Sequence, residues 1–123
     1  MSELSKVLDG TNEAHQKMLW RAIKYVEGTK DLKLLFKRNE QDKSTVWTMK
    51  AYCDSDFAGD TTTRRSVSGF VVYLNGCPVA WRSKGQKSVS LSSTEAEYMA
   101  VSEVAMEVLF VKSVLEFLGV KFA

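Results

Sequence analysis

Two groups of acids in this chain are spaced so that they could share a divalent cation. In Tyr52-Cys53-Asp54-Ser55-Asp56-Phe57-Ala58-Gly59 the carboxylates come where an apolar strand pattern stops, and in Ser92-Ser93-Thr94-Glu95-Ala96-Glu97-Tyr98 they fall in the first turn of a long helical pattern. One fold can bring carboxylates from two such distant segments to Mg²⁺ or Mn²⁺, hard cations that take oxygen ligands. This is the layout of a metal-dependent nuclease.

Each acid also has a plainer reading. Alternation sets Asp54 on the opposite face from Cys53 and Ala51, at the point where the strand meets solvent. Asp54, Ser55 and Asp56 also suit a turn, since Asp and Ser bond their own backbone in loops. An acid in the first turn of a helix is favoured by the dipole whatever its function. Either Glu95 or Glu97 can close a capping box, with Ser92 or Thr94 as the respective cap. If Ser92 caps the helix, Glu95 is occupied and Glu97 is left to face elsewhere.

Basic residues form a second constellation. Arg64 and Arg65 precede a strand pattern and Arg82, Lys84 and Lys87 follow another, with hydroxyls interleaved at Thr61 to Thr63, Ser66, Ser83 and Ser88. Cations and hydroxyls along a groove are what binding a phosphate backbone needs, and a solvated rim is the alternative. His15, Trp20 and Tyr25 read as packing and surface residues, because a lone His without a base or nucleophile has no chemistry to serve.

The elements that must position these groups follow from periodicity and turn chemistry. Thr11 or Asn12 can cap a helix with apolar positions Leu19, Ala22, Ile23 and Val26, which Gly28 is placed to end. Leu32 to Lys37 reads as a short strand and Asn39 to Ser44 as a polar turn. Trp47, Met49, Ala51 and Cys53 then read as the buried face of a second strand, paired with the first as a hairpin. Gly69 to Leu74 is a further strand, and Asn75-Gly76 a tight turn into Val79 to Arg82, with Pro78 at its start. From Ser92 the set Met99, Val101, Val104, Ala105, Val108, Leu115 and Leu118 predicts a helix ending at Gly119, long enough to raise a bend near Leu109 to Lys112.

Composition bounds the rest. With 123 residues, 45% of them hydrophobic and 26% charged, the chain is long enough to bury one core. It has no uninterrupted apolar run of about 18 residues. Met1 to Asp9 is too polar and acidic for a signal peptide, so no membrane is expected and the expected setting is intracellular and cytoplasmic. Cys53 and Cys77 lack ligand spacing and read as thiols in a reducing compartment. A net charge of +2 permits nucleic-acid binding without arguing for it.

From Lys50 to Gly119 the chain resembles the ribonuclease H domain of copia-type retrotransposon polyproteins. The resemblance rests on Cys53-Asp54-Ser55-Asp56-Phe57-Ala58-Gly59-Asp60, Arg65-Ser66-Val67-Ser68-Gly69, Trp81-Arg82-Ser83-Lys84 and Leu91-Ser92-Ser93-Thr94-Glu95-Ala96-Glu97-Tyr98. His15 to Leu32 is similar to the segment that joins reverse transcriptase to that domain. The resemblance implies a connection segment over 1–44 and a partial ribonuclease H-like domain over 45–123. The fold it implies is an α/β (α+β) one, a mostly antiparallel mixed sheet of about four strands with packed helices. Asp54 matches the first catalytic metal ligand and Glu97 the next, with Asp56 and Glu95 as neighbours. Phe57 stands where the family usually has Trp.

The implied reaction is two-metal hydrolysis of the RNA strand of an RNA/DNA hybrid, with Mg²⁺ or Mn²⁺ as cofactor. The family continues past the long helix into a strand with Cys-Asp-Asn and later a further Asp. The chain stops at Ala123 before both, so weak metal binding and no cleavage by the chain alone are expected. The implied partners are the hybrid and the reverse transcriptase portion of the same polyprotein, with a virus-like particle as the setting in an active element. A non-catalytic binding module and a structural linker between polymerase and nuclease are the alternatives. The two carboxylates are expected on one side of the sheet within about 8 Å, a reach suited to a metal pair. In the implied fold Thr45 to Cys53 is central, beside Gly69 to Leu74 on one side. Leu32 to Lys37 is expected to pair antiparallel with it on the other, and a bare edge there predicts self-association.

Overall fold

Asn12 begins the first element because its side chain can answer an orphan helical amide. The Asn12 Oδ1 accepts from His15 N at 3.0 Å and the His15 Nδ1 accepts from Asn12 N at 3.2 Å, closing a capping box in which His15 takes the place usual for Glu or Gln. The computed structural model describes residues 12–36, 46–60 and 62–122. The chain divides into two compact units, Met1–Leu34 and Leu35–Ala123.

In the first unit, α1 runs over Glu13–Thr29. It continues through Gly28, and the Thr29 hydroxyl donates to Tyr25 O at 2.7 Å in the last turn. Its expected apolar face is not a buried one: Leu19, Ile23 and Val26 are all exposed, and α1 contains no buried residue. Residues 32–36 form no strand, so the expected hairpin with Thr45 to Cys53 is absent from the described residues. Alternation alone does not hold a strand without a ladder partner. Thr11, Lys37, Asn39 to Ser44, Thr45 and Thr61 lie outside the described residues.

The second unit has the order β1 Val46–Trp47, β2 Met49–Asp56, β3 Val67–Leu74, β4 Cys77–Gly85, α2 Ser93–Phe117 and β5 Lys121–Phe122. β2, β3 and β4 form an antiparallel sheet in that order, while β1 pairs with β5 in parallel. The class is α+β, as expected. The sheet differs: three antiparallel strands and a separate two-residue parallel pair replace the four-stranded sheet.

Local chemistry explains the joints. Asn75 and Gly76 have φ of 48° and 80°, the left-handed pair that a two-residue hairpin turn requires. The Asn75 Oδ1 accepts from Thr48 N at 2.8 Å, and Asn75 N donates to Thr48 O at 2.9 Å. The turn therefore also pins Thr48, the residue between β1 and β2. Pro78 is the second residue of β4, beside a register shift at Val72/Tyr73 where a missing donor is tolerated.

The core is one-sided. Phe70, Val72 and Leu74 of β3 and Ala96, Ala100 and Val104 of α2 are buried, with Met49, Cys53, Ala80 and Val108 packed against the Phe70–Val72–Val104 cluster. α2 lies over β2 and β3, and the spacing of four between its buried residues makes Ala96–Ala100–Val104 the contact seam. Of the expected buried face of β2, Met49 and Cys53 are half-buried, while Ala51 and Trp47 are exposed. α2 is unbroken at Leu109 to Lys112. It ends in a Schellman motif, with Gly119 at φ 83°, Gly119 N donating to Glu116 O at 2.9 Å and Val120 N to Leu115 O at 3.0 Å, which turns the chain back into β5. No disulfide joins Cys53 and Cys77, both half-buried.

Candidate metal and nucleic-acid site

β2 does not stop at Cys53. Asp54 pairs with Gly69, Ser55 with Ser68 and Asp56 with Val67, so all three belong to the ladder and none is a turn residue. Cys53 packs toward the core, and Ser55 Oγ is buried with no hydrogen-bond partner. Alternation therefore turns Asp54 and Asp56 to the opposite face, where both are exposed.

Glu97 is set by the cap of α2. The Ser92 Oγ accepts from Glu95 N at 3.1 Å, and the Glu95 carboxylate accepts from Leu91 N at 2.6 Å. Glu95 is thereby engaged, one residue upstream of the usual capping box, and Glu97 is exposed. The direction of Glu97 follows from its neighbours. The Met99 sulfur faces Ser88 and Ser90 beyond β4, at 3.9 and 3.5 Å, and Glu97 is about 200° away round the helix. Val108 and Lys112 share the Glu97 flank and line a cavity of ≈ 390 Å³ with Trp47, Thr48, Met49, Lys50 and Phe122. That flank faces the outer edge of β2.

A buried amide sets the level. Gln86 is 2% exposed, and its Nε2 donates to Ser68 Oγ and to Ala96 O, both at 2.9 Å, while its Oε1 accepts from Ser90 Oγ at 2.8 Å. Ser68 is the ladder partner of Ser55. Gln86 thus ties the start of α2 to the part of the sheet that carries Asp54. The two acids approach the outer edge of β2 from its two faces, at one level along the strand. This corrects the expectation of a common side, for which the strand would have to carry its acid on the Cys53 face.

The basic residues divide. Arg64, Arg65, Arg82, Lys84 and Lys87 are exposed, but Ser66 is 0% exposed. Its hydroxyl accepts from Ala58 N at 3.1 Å and its carbonyl from Gln86 N at 2.8 Å, so it holds the loop and offers nothing to a phosphate. Arg82 pairs with Phe70 and Lys84 with Ser68, which puts both on the α2 face of β4, two strands away from β2. Arg64 and Arg65 lie in the loop that leaves β2. Asp60 holds that loop, its Oδ1 accepting from Thr62 N at 2.9 Å and Thr63 N at 3.0 Å. Arg64 has a φ of 56°, a conformation closed by its N–H bond to Asp60 O at 2.7 Å.

Two exposed carboxylates at an open edge suit a cation that keeps several waters, as Mg²⁺ does. Among the described residues no group of three or more His, Cys, Asp or Glu could hold a metal. Gln86, Ser68, Ser90 and Asp60 are absent from the sequence reading, and a polar residue whose partners lie 10 to 18 positions away leaves no periodic trace.

Comparison with known proteins supplies the lineage. The retrovirus-related Pol polyprotein from transposon RE2 of Arabidopsis thaliana is 36% identical over 123 residues, 100% of this chain and 8% of that protein. The Pol polyprotein from transposon TNT 1-94 of Nicotiana tabacum is 34% identical over 116 residues, 94% of the chain and 8% of its own length. The secreted RxLR effector protein 161 of Plasmopara viticola is 41% identical over 107 residues, 87% of the chain and 72% of that protein. The chain belongs to the retrovirus-related transposon Pol family. It spans less than a tenth of the length of the Pol polyproteins it matches. No protein-family model and no solved structure matches this Pol segment.

Proposed function

We propose that this Pol segment is the ribonuclease H-like part of a copia-type element, whose ancestral role is to degrade the RNA strand of RNA/DNA hybrids. Asp54 and Glu97 would hold the divalent cation, Mg²⁺ or Mn²⁺. The cation, when bound, supplies activation of water and stabilisation of the leaving oxygen. Arg64 and Arg65, at the same end of the sheet, and Arg82, Lys84 and Lys87 beyond, contact hybrid phosphates. The observation that carries the reading is the approach of Asp54 and Glu97 to one edge of β2, at the level fixed by Gln86.

The test is replacement of the matching segment in the RE2 Pol polyprotein by this chain. Hybrid cleavage is expected to survive the exchange and to vanish in Asp54→Asn and in Glu97→Gln. Cleavage indifferent to either substitution overturns the assignment.

One observation favours a second reading. The relative of which this chain spans 72% is itself short, so the segment also occurs outside full-length polyproteins, as a nucleic-acid- or protein-binding module would. Hybrid binding that weakens steeply with salt, without cleavage, supports that reading.

A further inference from the structure

β2 is the outer strand of its sheet, and among the described residues no strand pairs with its outer edge over Met49–Asp56. Such an edge presents a row of N–H and C=O groups that templates another strand. The side chains along it are self-complementary about Tyr52. Turning the strand about Tyr52 sets Lys50 opposite Asp54, Tyr52 opposite its own copy, Ala51 opposite Cys53 and Met49 opposite Ser55. Lys50, Tyr52 and Asp54 are exposed on one face, while Met49 and Cys53 pack on the other. Charged residues thus meet opposite charges, and apolar residues on the core side meet small or apolar ones.

We propose that the β2 edges of two copies of this chain pair antiparallel across a twofold axis at Tyr52, joining three strands from each copy into one sheet. The twofold axis is normal to the sheet, so both α2 helices lie on the same face. α2 covers β2 and β3, so its axis is about half a strand spacing inside β2, and the two helix axes come about 10 Å apart, a normal packing distance. The flank that meets there carries half-exposed Val101 and exposed Ala105, small enough for close approach. A closed, isologous interface of this kind ends at the dimer. The pairing occupies Asp54 with the Lys50 of the second copy, so dimerisation and cation binding at Asp54 compete. The inference does not rest on the nuclease reading.

Sedimentation equilibrium of the 123-residue chain tests it, with circular dichroism as the check on folding. A concentration-dependent dimer is expected. Lys50→Glu and Asp54→Lys are each expected to raise its dissociation constant about tenfold, because both symmetric pairs become like-charged. The double variant Lys50→Glu/Asp54→Lys is expected to recover the original value. A monomer at every concentration, or folded single variants that dimerise unchanged, overturns the proposal. Recovery with Asp56→Lys in place of Asp54→Lys would overturn the Tyr52 register. Hydrogen exchange of the unsubstituted chain gives the same answer without variants: protection of β2 amides must rise with concentration, and protection that does not rise contradicts the pairing.

Discussion

The side-chain amide of Gln86 lies 2.9 Å from Ser68 Oγ, inside a buried cluster that holds the start of α2 against β3. The same amide reaches Ala96 O and Ser90 Oγ, so one side chain ends three polar groups that would otherwise be buried unpaired. Removing it leaves those groups without partners, and each orphan costs about 1–3 kcal/mol.

Gln86→Leu is therefore expected to destabilise the chain by about 3 kcal/mol and to lower the midpoint of thermal unfolding. The measurement is a melt followed by circular dichroism. An unchanged midpoint would remove Gln86 as the tie between helix and sheet, and with it the argument for the level of Glu97.

Ser55 makes the opposite prediction. Its hydroxyl is buried without a partner, so Ser55→Ala removes an unsatisfied oxygen and is expected to be neutral or to stabilise by up to about 1 kcal/mol. Chemical denaturation reads this directly. A loss of stability would mean that the hydroxyl has a partner, with an ion at the β2 edge as the first candidate.

The turn between β3 and β4 supplies a backbone test. Gly76 has a φ of 80°, and Gly76→Ala is expected to cost about 1 kcal/mol. Asn75→Ala should cost at least as much, because Thr48 N loses the Asn75 Oδ1 acceptor. Denaturant midpoints of the two variants check both, and an Asn75→Ala chain as stable as the parent contradicts the pinning of Thr48.

The features legible in the sequence were those written locally. The Asn75-Gly76 turn needs two particular neighbours, and the Ser92 cap with Glu95 needs a spacing of three, so both were readable and so was the length of α2. Asp54 to Asp56 were ambiguous because their own preference is for turns. Cross-strand pairing with Gly69, Ser68 and Val67 overrides that preference, and pairing is a property of two segments rather than one. Leu32 to Phe36 shows the converse, an alternation with no strand. The facing of Asp54 away from Cys53 was plain from alternation, but its meeting with Glu97 round an edge, rather than over a face, depended on Gln86.

The central claim is that Asp54 and Glu97 share one cation at the outer edge of β2, and paramagnetic broadening of amide NMR signals by Mn²⁺ tests it most directly, on the chain held dilute enough to be monomeric. Weak binding is expected, since two carboxylates leave most of the coordination sphere to water. Broadening should centre on the residues around Asp54 and the first turns of α2 together, and should disappear in both Asp54→Asn and Glu97→Gln. Broadening that persists in either variant, or that reaches one segment without the other, would contradict a shared site.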